Sequence, residues 1–424
     1  MKHPHVVIVG GGFGGLSAAK VLAKKHVPLT LIDKKNYHLF QPLLYQVAMA
    51  GLSPADIAYP FRSLLGTWPR VNIRLGEVIE VNKEEKWLKT EANKIYFDYL
   101  ILACGSTYTY FNSPQWEKFA PGLKTIEQAT EIRRRVFLAF EKAERETNLH
   151  KQLALQTFVI VGGGPTGVEL AGTLGEIVRF SLIKDFNQIN IARTRIILVE
   201  AGPRILPTMG QGISQEAVRE LNELGVEVRV NSLVKEVDEN GIKINEEFIP
   251  SSTVLWAAGV GANPLNKTLG VKLDKQGRII VKPNLSLADY PYIFVIGDQA
   301  HLDWGQDHQA LPGLAPVAMQ QGRFVAKNIL HLIMNGKTKE QFKYIDKGQL
   351  ATIGRSRAVG MYKGIEFSGF MAWITWLLVH VYYLIGFKNK FLVLFQWAWT
   401  YLTFQRGARL IIGPDPFKSK IKQT

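Results

Sequence analysis

The chain has 424 residues, 47% of them apolar, enough for two or three folded domains and too apolar for a disordered chain. Its net charge of +15 favours anionic partners; with no nucleic-acid motif and no arginine-rich arm, it points to an anionic membrane surface and away from nucleic acid. One cysteine, Cys104, excludes an internal disulfide and any cysteine-only metal or iron–sulfur centre.

From the first residue, "MKHPHVVIVGGG" passes almost directly into an apolar strand, with no apolar leader. The catalytic part is therefore expected in the reducing cytosol. The stretch "HVVIVGGGFGG" places Gly10, Gly12 and Gly15 between a strand and the helix-like "LSAAKVLAKK". The first glycine permits the tight turn, the second lets a pyrophosphate approach the backbone, and the third lets helix and strand pack closely. The helix N-terminus then offers free N–H groups and a favourable dipole to the phosphates. "PLTLID" gives a second strand ending in Asp33, 18 residues after Gly15, where a carboxylate receives ribose hydroxyls. Further on, "LILACGS" puts Cys104 just after a strand, as a small buried hydrophobe.

The pattern then repeats. "QTFVIVGGGPTGVELAGTL" supplies Gly162, Gly164 and Gly167, and "TRIILVEAG" ends a strand at Glu200. The interval from Gly167 to Glu200 is 33 residues, and "RFSLIKDFNQINIART" is read as an extension of the helix and its loop that takes up the surplus. A carboxylate at position 200 accepts a free 2′-hydroxyl and repels a 2′-phosphate, which favours NADH over NADPH. "YIFVIGDQA" is an apolar strand ending in Gly297 and Asp298, and "APVAMQQGRFVAKNIL" reads as a helix beginning near Ala315 to Val317, with proline in its first turn. Two cradles allow two NAD sites; the usual order is FAD first and NAD second.

The tail changes character. Gly369–Phe387, "GFMAWITWLLVHVYYLIGF", has no Asp, Glu, Lys or Arg. As one helix it would approach the thickness of a bilayer core, about 30 Å. Its Trp373, Trp376, His380, Tyr382 and Tyr383 are spread along its length, and such rings prefer the headgroup region. "FLVLFQWAWTYLTF" (391–404) is too short to cross, and Arg406, Arg409, Lys418, Lys420 and Lys422 follow. Two helices lying in the membrane interface or dipping into one leaflet are expected, against the alternatives of a single span at 369–387 or a buried dimer or domain interface.

Several of these motifs together resemble the type II NADH dehydrogenases: "HLFQPLLYQVAMAGLSP" (His38–Pro54), "GGGPTGVELAG" (Gly162–Gly172), "VLWAAGVGANP" (Val254–Pro264), "GDQA" and "LPGLAPVAMQQG" (Leu311–Gly322). These are single-subunit NADH:quinone oxidoreductases that pump no protons. The resemblance covers nearly the whole chain. It implies an α/β protein of two Rossmann-like dinucleotide-binding domains, the FAD domain interrupted by the NAD domain, plus a C-terminal helical membrane-association segment. The boundaries expected are 1–115 and 285–345 for FAD, 116–284 for NAD(H), and 346–424 for the membrane part.

It also implies non-covalent FAD, hydride transfer from NADH, ubiquinone or menaquinone as acceptor, a homodimer, and attachment by residues 369–404 to the cytoplasmic face of the cell membrane. Gly105, Gly297, Asp298, Ala315 and Val317 join Gly10, Gly12, Gly15 and Asp33 on FAD; Gly259 joins Gly162, Gly164, Gly167 and Glu200 on NADH. Glu169, in "PTGVELAG", is implied near the flavin, in nicotinamide binding and proton delivery, against a purely structural place on its helix. Gln320 is carried over as a donor to a quinone carbonyl, against a surface helix glutamine. The family's Ala-Gln pair at the start of this helix is Ala315-Pro316 here, so no glutamine is carried over at 316. His38, Gln41 and Tyr45 are candidates to line the flavin or quinone pocket, with His38 expected to be structural; His380 is a candidate interfacial proton carrier, against the favoured reading of a satisfied or snorkelling histidine.

With one cysteine, away from the flavin face, no thiol relay is available. Electrons must leave the flavin directly for quinone, oxygen or a small redox protein, and the greasy tail favours quinone. A soluble FAD reductase and a non-catalytic NADH-responsive flavoprotein stay open as alternatives.

Overall fold

A computed structural model describes residues 4–304, 309–336, 341–403 and 407–413. The chain divides into two compact units.

The first comprises Met1–Leu39, Ala58–Thr107 and Val260–Lys347. Its centre is a five-stranded parallel sheet in the order Ile293–Val295, Tyr99–Leu102, Val6–Val9, Leu29–Asp33, Val71–Leu75. The central strand, Val6–Val9, is buried at every position, and "VVIV" is apolar at every position for that reason. A helix, Phe13–Ala23, follows it and packs against a second, Ala315–Asn335. The two backbones approach so closely that a Cβ on Gly322 would lie 2.1 Å from the Gly14 carbonyl oxygen. A three-stranded antiparallel sheet (Val78–Asn82, Trp87–Thr90, Lys94–Tyr96) completes the unit.

The second unit comprises Phe40–Ile57, Tyr108–Gly259 and Gly348–Thr424. Its parallel sheet runs Val226–Arg229, Arg195–Val199, Thr157–Val161, Thr253–Trp256. Trp256 is fully buried and packs on Tyr110 and Trp116, and its Nε1–H donates to the Thr109 carbonyl. The helix after the central strand, Pro165–Glu176, lies on an antiparallel sheet of Gln349–Gly354, Arg357–Tyr362 and Ile365–Ser368. The long interval before Glu200 is filled by a π turn at Ile177–Ser181 and 3-10 turns at Leu182–Lys184 and Ile191–Arg193.

The apolar tail is not one helix. It forms Gly369–Tyr383 and Phe387–Thr403, broken at Leu384–Gly386, where Gly386 takes φ +88°. At 15 and 17 residues these are about 22 and 25 Å long. Among the described residues no helix is long and apolar enough to cross a membrane, which corrects the single-span alternative for 369–387. Arg406, Lys418, Lys420 and Lys422 lie outside the described residues.

Candidate functional site

Both glycine cradles form at the C-terminal ends of parallel strands, where open α/β sheets bind ligands. In the first, Gly10 has φ +98°, and a Cβ there would sit 2.3 Å from the Ala103 carbonyl oxygen. A Cβ on Gly15 would sit 1.8 Å from the Gly10 carbonyl oxygen, while one on Gly12 would meet nothing within 4 Å. The outer glycines are thus required by packing, and the middle one faces open space at a helix N-terminus. Asp33 closes the turn: its Oδ2 accepts the Gly11 N–H at 2.6 Å and its Oδ1 the Lys35 N–H at 2.8 Å. Burial raises this carboxyl, and the two N–H donors oppose the rise.

The neighbouring strand ends bring further candidates to the same edge. Ser106 Oγ donates to Asp298 Oδ2 at 2.6 Å, and Gly313 lies against the Asp298 carboxylate. Gly105 faces open space. Gln299 Oε1 accepts the Cys104 N–H, and Gly297 donates its N–H to Gln321 Oε1. The helix starting at Ala315 has proline in its first turn and buries Val317, and its first N–H groups have no intrahelical acceptor. Gly10, Gly12, Asp33, Gly105, Gly297 and Asp298 lie at or just beyond the C-terminal ends of this sheet's strands, and Gly15, Ala315 and Val317 lie on the two packed helices.

The second cradle repeats the first. Gly162 has φ +109° and abuts Ala257 and Ala258, a Cβ on Gly167 would be 1.8 Å from the Gly162 oxygen, and Gly164 is open. Glu200 accepts the Gly163 N–H through Oε2 and the Gly202 N–H through Oε1, both at 2.7 Å. Gly259 lies against Phe111 and Thr109. In each cradle the packed glycines, the open one and the carboxylate fit the pyrophosphate and ribose of an adenine dinucleotide.

A family model for pyridine nucleotide-disulphide oxidoreductases matches residues 4–322, and one for the NDH2 C-terminal domain matches 347–406. The chain is 39% identical to the type II NADH:quinone oxidoreductase Ndh of Mycobacterium tuberculosis, over 100% of this chain and 93% of that protein. It is 30% identical to the type II NADH:quinone oxidoreductase of Staphylococcus aureus, over 86% of this chain and 91% of that protein. The chain belongs to the type II NADH:quinone oxidoreductases. Its fold is shared with NDH2 of Plasmodium falciparum, solved in complex with NADH: TM-score 0.88, 22% identity, 97% of this chain and 100% of that one. A sulfide:quinone oxidoreductase from Aquifex aeolicus shares it less closely, at TM-score 0.70 and 19% identity, over 91% of each chain.

In this type II oxidoreductase the lone thiol, Cys104, is pushed up to about 12 by burial, so it stays protonated and unreactive. Glu169 is buried on the second cradle helix, and the Thr352 backbone N–H donates to its carboxyl. Burial, opposed by that one bond, raises it well above the usual carboxylate range. Gln320 donates to the Ile345 carbonyl at 2.9 Å and accepts the Ile345 N–H at 3.0 Å. Its amide is therefore engaged, and contact with a quinone carbonyl requires that pair to open. His38 is buried behind the first cradle and Tyr45 is buried, whereas Gln41 is exposed and reaches the Lys124 carbonyl. His380 stacks on Trp376, and burial lowers it to about 4, so it is neutral.

Sequence reasoning missed Gln46. Its Nε2 donates to Tyr45 Oη at 2.9 Å, and its Oε1 accepts the Trp397 Nε1–H at 2.7 Å. That tie joins residues 351 positions apart, and no local pattern announces it.

Proposed function

We propose that this chain oxidises NADH with bound FAD and passes the electrons to a membrane quinone, without pumping protons. The observation that carries the reading is the pair of matching cradles, each with a carboxylate closing its turn, beside a lone thiol too basic to relay electrons. Gly10, Gly12, Gly15, Asp33, Gly105, Gly297, Asp298, Ala315 and Val317 would hold FAD. Gly162, Gly164, Gly167, Glu200 and Gly259 would hold NADH. The domain division read from the sequence, with FAD on 1–115 and 285–345, NAD(H) on 116–284 and the membrane part at 346–424, is part of the proposal.

Bound FAD supplies the hydride acceptor and two-electron store that the side chains lack. The chain's residues do the rest. Each oxygen of Asp33 and Glu200 accepts one backbone N–H and keeps capacity for a ribose hydroxyl. The Glu200 charge disfavours a 2′-phosphate. Glu169, buried and with its carboxyl raised, would favour the protonated form and could donate that proton as quinone is reduced. Gln320, once released from Ile345, would reach a quinone carbonyl.

The tail supports a lipid partner. Phe370, Met371, Leu378 and Tyr382 on its first helix, and Phe391, Phe395, Trp399 and Leu402 on its second, are exposed. Helices too short to cross, with such a face, suit attachment in the plane of the cytoplasmic membrane surface, where ubiquinone or menaquinone dissolves. A homodimer completes the reading.

The test is NADH consumption by the purified yellow protein, with and without a short-chain quinone. Strong quinone stimulation is expected. Equal turnover with oxygen or a small redox protein alone would replace quinone as the acceptor, and no turnover would leave a binding protein.

A further inference from the structure

The two cradles are alike in two respects and differ in a third. In both, the N–H of the glycine preceding the open one is held by the carboxylate: Gly11 by Asp33, Gly163 by Glu200. In both, the carbonyl of that same glycine is held as well. Gly163 O accepts the backbone N–H of Leu206 at 2.7 Å. Gly11 O is instead paired with a side chain, His38 Nδ1, at 2.9 Å.

A carbonyl only accepts, so Nδ1 carries the proton and Nε2 is a bare acceptor. His38 is 2% exposed, and its Nε2 has no hydrogen-bond partner among the described residues. The ring is fixed by an edge contact with Phe13, with centroids 5.1 Å apart. Its backbone is fixed by antiparallel pairing of Tyr37–Leu39 with Ala58–Pro60. Burial lowers the imidazole to about 4, so it is neutral at ordinary pH and this tautomer persists.

The consequence follows from peptide geometry. The Gly11 C=O and the Gly12 N–H belong to one planar trans peptide and point in opposite directions. Drawing the carbonyl towards His38 turns the Gly12 N–H away from it, at the residue whose missing side chain leaves open space. We propose that His38 is the positioning residue of the first cradle: its Nδ1–H holds the Gly11–Gly12 peptide so that the Gly12 N–H is aimed at the FAD pyrophosphate. The inference rests on the FAD reading of that cradle. It makes FAD retention, and not NADH binding, depend on His38.

Three variants of the full chain separate this from simple packing. His38→Leu keeps bulk without a donor. His38→Asn places an N–H donor close to the Nδ1 position. His38→Gln places its amide nearer the Nε2 position. FAD release from the holoenzyme on dilution is followed by flavin fluorescence, NADH binding by titration, and unfolding of the FAD-free chain by calorimetry.

The expected result is FAD affinity about ten- to a hundredfold weaker for His38→Leu and His38→Gln, the effect of one lost hydrogen bond to a buried carbonyl. His38→Asn is expected within about threefold of wild type. NADH affinity should be unchanged in all three; the FAD-free Leu and Gln variants should unfold slightly earlier than wild type, because the Gly11 carbonyl loses its donor, and the Asn variant should not. Wild-type FAD retention in His38→Leu overturns the proposal. So does equal loss in the Asn and Leu variants together with earlier unfolding of both. If His38→Leu does not fold, the Asn and Gln pair decides, since only Asn keeps the bond. A wild-type chain that binds no FAD at all sinks the parent reading instead.

Discussion

Two buried glutamates in the second unit differ in what their burial implies. Glu169 is raised well above an ordinary carboxyl, so folding holds a proton that the unfolded chain would release. Stability is therefore lost as pH climbs from the unfolded value into the raised range, and the proton is the species suited to catalysis. Glu169→Gln should stabilise the fold at pH 8, lower quinone-dependent kcat at least tenfold, and abolish the alkaline limb of the rate profile. An unchanged profile in steady-state assays would assign Glu169 to structure alone. Glu220, on the helix Gln211–Glu223, is pushed up to about 7, first by burial and then by Glu216, with Arg357 and Arg219 opposing. Its Oε2 has no hydrogen-bond partner among the described residues. It is likewise protonated when folded at pH 5 and becomes a desolvated charge above pH 7. Glu220→Gln should add about 1–2 kcal/mol at pH 8 and almost nothing at pH 5, read by denaturant unfolding at both values. This change lies outside the cradle and should leave NADH affinity alone.

At the scale of elements, the cradles turn on where each missing Cβ would go. A Cβ on Gly164 meets nothing, so Gly164→Ala should fold normally, keep FAD, and raise the KM for NADH about tenfold by standing where the pyrophosphate approaches. A Cβ on Gly167 collides with the Gly162 carbonyl, so Gly167→Ala should lower Tm by several degrees as well. Calorimetry and NADH titration on the two variants distinguish a blocked site from a damaged one. The cradles were legible because a strand, three glycines, a helix and an acid are local and periodic. The filling of the 33-residue interval was legible only as a surplus: nothing in "IVRFS" marks a π turn at Ile177–Ser181, since that winding depends on what packs beneath it. The tail showed its apolarity but not its break, because a run without charges has no period from which to read one. Contacts such as Trp397 with Gln46, Glu169 with Thr352, and Gln320 with Ile345 join distant segments and become visible only in the fold.

At the scale of the molecule, two properties point to an anionic lipid partner. The chain carries +15 net charge, and its last helices leave large apolar side chains in solvent. Soluble monomers rarely expose large apolar patches without a use for them. Phe395 is 61% exposed and Leu402 76% exposed, so neither contributes much to the folded core. Each would nevertheless leave water on entering the acyl boundary, a gain of about 1.5–3 kcal/mol for a fully transferred side chain. Replacing both with glutamate removes that gain and sets two negative charges against anionic headgroups. Phe395→Glu/Leu402→Glu should therefore reduce co-flotation with anionic liposomes at least tenfold. Its Tm, FAD content and turnover with a water-soluble quinone should stay near wild type, while turnover with a long-chain quinone embedded in those liposomes falls in step with binding. Salt separates the two contributions, because screening at 0.5 M weakens the charge term and leaves apolar insertion intact. Liposome binding that survives the double substitution would mean that charge alone holds the protein to lipid and that the exposed face of the tail serves a protein contact.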